Sequence, residues 1–327
     1  MKYFALYLPL LIILTCCQKV KIDIPDNGRK IVINGLISSD SLFNIGVRKS
    51  SFIIDNIYSQ TGTYDLDSAI VSIYQSGLRV DSLYHSDSRL DVSTLEIFKY
   101  GNYWSKRIFP IPGQEYEIVV KAHGMPDATA STTIPDMVRI EHVDSSRKYQ
   151  TIYPYPFYLS NVSMIFNIEF TDPVYETNYY LLNVCKVPNY SSPWSTNIGF
   201  GSTDPIVEEV LGRGYQQMGG IAFTDKVING KKYSLTVTVD GNEIGQPFWD
   251  DSPRLNGIPL PDHKKTIYLR LYSITEEYFR YIQTLNLFEK DFGDPLTNPV
   301  QVFSNVTGGF GIFAGAAVSS DSIVFNY

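Results

Sequence analysis

Four kinds of residue in this chain carry chemistry: cysteines, histidines, clustered acids and loop aromatics. The four histidines, His85, His123, His142 and His263, are scattered. None forms the His-x-x-x-His or His-Glu-x-x-His pair that a zinc protease needs on one helix face. No Gly-x-Ser-x-Gly elbow presents a nucleophile, and no Gly-x-x-x-x-Gly-Lys-(Ser/Thr) loop cradles a phosphate. Asp172 and Glu176 are an acid pair in sequence. A glycosidase would need them to face each other across about 5–9 Å. Asp240, Glu243, Asp250 and Asp251 supply hard oxygens but lack the Asp-x-Asp-x-Asp-Gly spacing of a calcium loop. The residues therefore predict no catalytic set, no metal and no cofactor.

The cysteines say more. Lys2 and the apolar run Tyr3 to Leu14 form a secretion signal. The run is too short for a spanning helix, which needs about 20 residues. It ends in Leu14-Thr15-Cys16-Cys17-Gln18, which resembles a bacterial lipobox, the cut site before a cysteine that receives acyl chains. Cys17 is the predicted lipidated residue, with Cys16 as the alternative, and a plain signal peptide with two incidental cysteines stays open. Several acyl chains anchor stably where one does not. Residues 1–16 are then signal peptide and 17–28 a tether. Cys185, alone in the apolar run Tyr179 to Cys185, is expected to be buried and inert.

The aromatics concentrate in irregular, Pro-containing stretches: Tyr153 and Tyr155, Tyr190 and Trp194, Phe248 and Trp249. These are the candidate contacts for a partner, a peptide or a sugar ring; the other reading of them is core plugging.

Positioning these residues falls to strands. The 327 residues are 44% apolar and 19% charged, with 24 Tyr and 18 Phe, an aromatic content that strands favour. A formal charge of −7 without a basic block removes the footprint of a nucleic-acid binder. Ile31-Val32-Ile33 opens a strand. Tyr116, Ile118, Val120 and Ala122 alternate with Glu117, Val119 and Lys121, a half-buried strand. Phe166/Ile168/Phe170 and Ile267/Leu269/Leu271 repeat the pattern, and a last strand ends near Phe325. Ile221 to Val239 reads as a hairpin turning at Asn229-Gly230. Gly113-x-x-Tyr116 and Gly230-x-x-Tyr233 open similar strands, as at the corner of an immunoglobulin-like sandwich, where a Tyr hydroxyl bonds back to the backbone. Ser273 and Glu276 form a capping box for a helix near 274–290. Gly308-Gly309-Phe310-Gly311 precedes a strand, so close backbone packing explains these glycines better than phosphate binding. The expected fold is mostly β. It comprises two β-sandwich-like, immunoglobulin- or fibronectin-like units, residues 29–136 and 137–327, with the helix packed on the second.

The order of these features resembles a lipoprotein family of the phylum Bacteroidota, domain of unknown function 4249. The resemblance rests on the lipobox, Ile31 to Ile37, Thr132 to Pro135, Phe170-Thr171-Asp172-Pro173 with Asn178-Tyr179-Tyr180, and the ending from Tyr278 through Gly315. It implies an outer-membrane lipoprotein, lipid-anchored on the periplasmic or surface face, with a TonB-dependent transporter as partner. It carries no catalytic or binding residues to this chain. The expected function is a non-enzymatic accessory, ligand-capture or assembly subunit. The alternatives are a carbohydrate-binding surface lipoprotein and a hydrolase with an irregular carboxylate pair.

Overall fold

The structure, a computed structural model, describes residues 28–51, 64–86, 101–151, 160–174, 176–186, 197–207, 220–241, 254–255, 258–259, 264–291 and 300–326. The first half supplies β1 (Ile31–Ser38), β2 (Asn44–Lys49), β3 (Ile70–Gln75) and β4 (Leu78–His85). The short β5 (Tyr103–Trp104), β6 (Glu115–Lys121) and β7 (Ala128–Thr133) complete it. The second half opens with β8 (Ile140–Thr151), β9 (Ser160–Thr171), β10 (Tyr179–Lys186), β11 (Phe200–Gly201) and β12 (Ile221–Thr224). Next come β13 (Lys232–Asp240), the small pair β14 (Arg254–Leu255) and β15 (Ile258–Pro259), and β16 (Lys264–Ile274). The helix α1 (Glu276–Asp291) and the long β17 (Phe310–Asn326) end the chain.

Eleven strands join in the order β12-β10-β16-β17-β1-β2-β5-β4-β3-β6-β7, and β11-β13-β9-β8 form a separate layer. The expected alternation is visible in the burial. In β6, Tyr116, Ile118 and Val120 point inward; in β9, Met164, Phe166, Ile168 and Phe170 do. Three apolar clusters result. One fills the first half, around Ile33, Phe43, Ile73 and Ile118. A second lies between the four-stranded layer and β10, β12 and β16, around Phe166, Phe170, Leu182 and Leu269. The third seats α1, through Tyr278, Phe279 and Ile282, on the opposite face of β10, β12, β16 and β17.

β17 belongs to all three. Its first part pairs in parallel with β1, Val32 opposite Phe310 through Ser38 opposite Ala316. Its second part pairs antiparallel with β16, Ile274 opposite Ala316 through Lys264 opposite Asn326. Phe313 and Ala317 enter the first cluster, Phe325 the second, and Ile312, Ala314 and Ala316 the third. A strand buried on both faces must read as a continuous apolar run, and Phe310 to Val318 does. The glycines before it are placed by close approach, as the sequence predicts. A Cβ on Gly308 would strike the Asp127 carbonyl, one on Gly309 that of Ile31, and one on Gly311 that of Ile33.

Two local expectations are corrected. Ile221–Val239 is not a hairpin: β12 pairs with β10 in the large sheet, whereas β13 pairs with β9 in the other layer. Asn229-Gly230 sits in a corner that carries the chain between layers, with the Asn229 amide donating to Asp225 and to the Glu176 carbonyl. The helix cap also moves. Ser273 stays extended because β16 remains paired on both sides through Ile274. Its hydroxyl accepts from the Val138 N–H at 3.1 Å, and the Thr275 carbonyl takes the first helical bond, from Phe279 N–H.

Of the two Gly-x-x-Tyr copies, the first makes the expected corner: Tyr116 hydroxyl accepts from the Ile111 N–H at 3.2 Å. In the second, Tyr233 donates instead to Asp204, at 2.5 Å. Tyr116→Phe should therefore cost about 1 kcal/mol in a urea titration, one ordinary hydrogen bond whose donor is left partly buried. An unchanged midpoint would show that the corner contributes nothing.

Candidate functional site

The chemistry-bearing residues sort by where the strands put them. Asp172 is 1% exposed at the end of β9. Tyr180 hydroxyl donates to its Oδ1 at 2.5 Å, and Gly230 N–H to its Oδ2 at 2.9 Å. Burial lifts the Asp172 carboxyl above the usual carboxylate range, against the pull of those two donors. The same burial, with the neighbouring carboxylate, pushes the Tyr180 hydroxyl far above its ordinary value. Glu176 is exposed, and what the network takes from it is its backbone carbonyl. Both oxygens of Asp172 thus accept from the protein itself. Asp225, also buried, accepts from Asn229 beside it, and Asp204 accepts from Tyr233 and the Ile206 N–H. Sequence reading passed over these two acids, although each lies next to a turn.

Cys185 is buried, as expected, and burial raises its thiol pKa. Among the described residues no group of three or more His, Cys, Asp or Glu could hold a metal. No described helix is long and apolar enough to cross a membrane. Cys17, Tyr153, Tyr155, Tyr190, Trp194, Phe248 and Trp249 lie outside the described residues.

The residues flanking those aromatic stretches are described, and the register brings them together. Thr151 pairs with Ser160 where β8 and β9 join, and Ser163 pairs with Asp240 at the end of β13. Phe200 pairs with Val239 there, so β11 begins at the same end. In the other layer, Lys186 ends β10 opposite Ile267, and β16 begins with Lys264 opposite Asn326. The run from Asn197 to Gly201 bridges the two layers at this end. Asn197 bridges to Cys185 and Ile198 N–H donates to the Val184 carbonyl at 2.8 Å, before Phe200 meets β13. The ring contact of Phe166 with Phe325 places the end of β17 in the same region. The connections 152–159, 187–196 and 242–263 are therefore attached at one end of the paired layers.

The chain enters the fold elsewhere. Ile31 starts β1 beside Phe310, at the beginning of β17, whereas the flanks just named surround its finish. Seventeen extended residues separate those points, about 50 Å at 3.2–3.4 Å per residue. The entry of the chain and the attachment of the aromatic connections thus lie at opposite ends of one strand.

Fold and site together define a mostly β chain whose described residues form an eleven-stranded and a four-stranded sheet, a small two-stranded pair and one long helix, with the loop-bearing end remote from the start of β1. The chain belongs to the family described as Domain of unknown function (DUF4249), whose model matches residues 18–322. No curated protein and no solved structure matches it.

Proposed function

We propose that this protein is a non-enzymatic outer-membrane lipoprotein, tethered through Cys17, that serves a TonB-dependent transporter as an accessory, ligand-capture or assembly subunit. The observation that carries this reading is the separation just described. A tether entering at one end of β17 presents the connections bearing Tyr153, Tyr155, Tyr190, Trp194, Phe248 and Trp249 at the end remote from the lipid. Aromatic side chains on connections held by rigid strands suit the capture of a partner. The fold reading that accompanies it is of two immunoglobulin-like units, 29–136 and 137–327, supported by two separate apolar clusters, one of residues 31–134 completed by Val306, Phe313 and Ala317 and the other of residues 138–325. A carbohydrate-binding lipoprotein that stacks those aromatics on sugar rings is the second reading, favoured by the same convergence. The buried, doubly bonded Asp172 lends a hydrolase no support.

The test is fractionation followed by affinity capture. Wild-type protein should sediment with membranes, and Cys17→Ala should release it to the soluble fraction. Capture of the wild type from detergent-solubilised outer membrane should bring down a stoichiometric TonB-dependent barrel. Membrane retention of Cys17→Ala would refute the anchor, and recovery of the lipoprotein alone would refute the stable partnership.

A further inference from the structure

A concavity of about 310 Å³ opens on the outer face of β3, β6 and β7, away from the loop-bearing end. Its floor follows the register. Tyr74, Glu117 and Ser131 stand side by side on three adjacent strands, with Glu115 and Thr129 on the same face. Adjacent strands lie about 4.8 Å apart, so this floor is about 10 Å wide. One wall is the tight β3–β4 turn, where Ser76 (φ 50°) and Gly77 (φ 77°) both adopt left-handed backbone. The other wall is Thr307, tied to Thr129 by reciprocal backbone bonds of 2.8 and 3.0 Å. Asn305 holds that wall in place by exchanging side-chain bonds with the backbone of Phe313, at 2.8 and 3.0 Å.

The lining decides the ligand class. Small-molecule sites of about 300–1,000 Å³ are usually apolar with few polar groups; here Tyr74 is the one large apolar side chain among the lining residues. An acyl chain or apolar drug-like molecule has nothing to bury against. Among the described residues no lysine or arginine lines the cavity, so an anion would meet Glu115 and Glu117 without a described cation beside them. A ligand must instead donate to two carboxylates, which only accept, and exchange bonds with the hydroxyls of Ser76, Thr129, Ser131 and Thr307. A cation donates but cannot accept, so it would use the four hydroxyls through their oxygens only. A polyol does both at every position, and its C–H face packs on an aromatic ring such as Tyr74.

We infer that this groove binds a neutral glycan, about one or two sugar rings at a time, with Glu115 and Glu117 accepting from ring hydroxyls and Tyr74 as the stacking platform on its floor. The site stands on described residues of the first half together with Thr307, and needs neither the lipid anchor nor the aromatic connections.

The test is calorimetric titration of the chain freed of its anchor, residues 18–327, with maltotriose, xylotriose, mannotriose and chitotriose, and with trilysine. At least one trisaccharide should bind, and Glu117→Gln and Tyr74→Ala should each weaken it at least tenfold without moving the thermal midpoint. Both side chains lie on the outer face of the sheet, and Ser131→Val offers a third variant if either fails to fold. Silence across all four trisaccharides, or binding of trilysine alone, would overturn the inference. So would saccharide binding that survives Glu117→Gln and Tyr74→Ala but is lost in Trp194→Ala, which would move the ligand to the connections.

Discussion

Gly311→Ala should destabilise the protein by about 4 kcal/mol or prevent folding, a large share of the roughly 5–15 kcal/mol that holds a domain together. Gly311 has φ 103°, a conformation that side chains rarely adopt, and an added Cβ would strike the Ile33 carbonyl. That carbonyl belongs to β1, the parallel partner of β17, so relief requires the two strands to part. Gly124 makes the control. Its φ is 73° and nothing lies within 4 Å of its Cβ position, so Gly124→Ala should cost only the local strain, about 1–2 kcal/mol. The difference between the two variants in urea denaturation measures the close approach alone. Amide exchange gives a second readout. Because β17 joins β1 to β16, protection should fall in Ile31–Ser38 and Lys264–Ile274 together. A Gly311→Ala loss no greater than that of Gly124→Ala would refute the account of the seam.

Asp172→Ala should cost about 3 kcal/mol, because it leaves the buried Tyr180 hydroxyl and the half-buried Gly230 N–H without their acceptor. Asp172 also gives the protein an unusual pH response. Burial raises its folded pKa above the unfolded value, so the native state binds the proton more tightly. Its contribution to stability is therefore greatest below the unfolded carboxylate pKa of about 3.9, and is lost as pH rises through the folded value. That is opposite in sign to a salt-bridged carboxylate. Wild type should lose stability relative to Asp172→Asn across that window as pH increases. A constant difference between the two proteins from acid to neutral pH would show that Asp172 titrates alike in both states. The same network explains why Asn229-Gly230 makes a corner: the Gly230 amide is committed to Asp172 and cannot close a ladder with β12.

The periodic strands were legible because alternation is local. Tyr116, Ile118 and Val120 declare their buried face wherever the strand is later placed, and so do Phe166, Ile168 and Phe170. The helix was legible from its spacing, but its start was not, since Ser273 and Glu276 satisfy a capping pattern that strand pairing then overrides. The candidate contacts stood out by residue type, whereas nothing local said that their connections share one end of the fold. The groove was least legible. Tyr74, Glu115, Glu117 and Thr307 come from three separate stretches, and each alone reads as ordinary solvated surface.

By itself the sequence determined the β class, the alternating faces, the Tyr116 corner, a buried Cys185 and glycines placed for close packing. Each follows from the geometry of a few neighbouring residues. Only the tertiary structure decided that β12 and β13 part into different layers, and that the last strand pairs in parallel with the first. It alone decided that the start of β1 and the strand ends flanking the aromatic-bearing connections lie at opposite ends of β17. Those outcomes depend on which apolar face covers which, a choice set by burial summed over strands far apart in the chain.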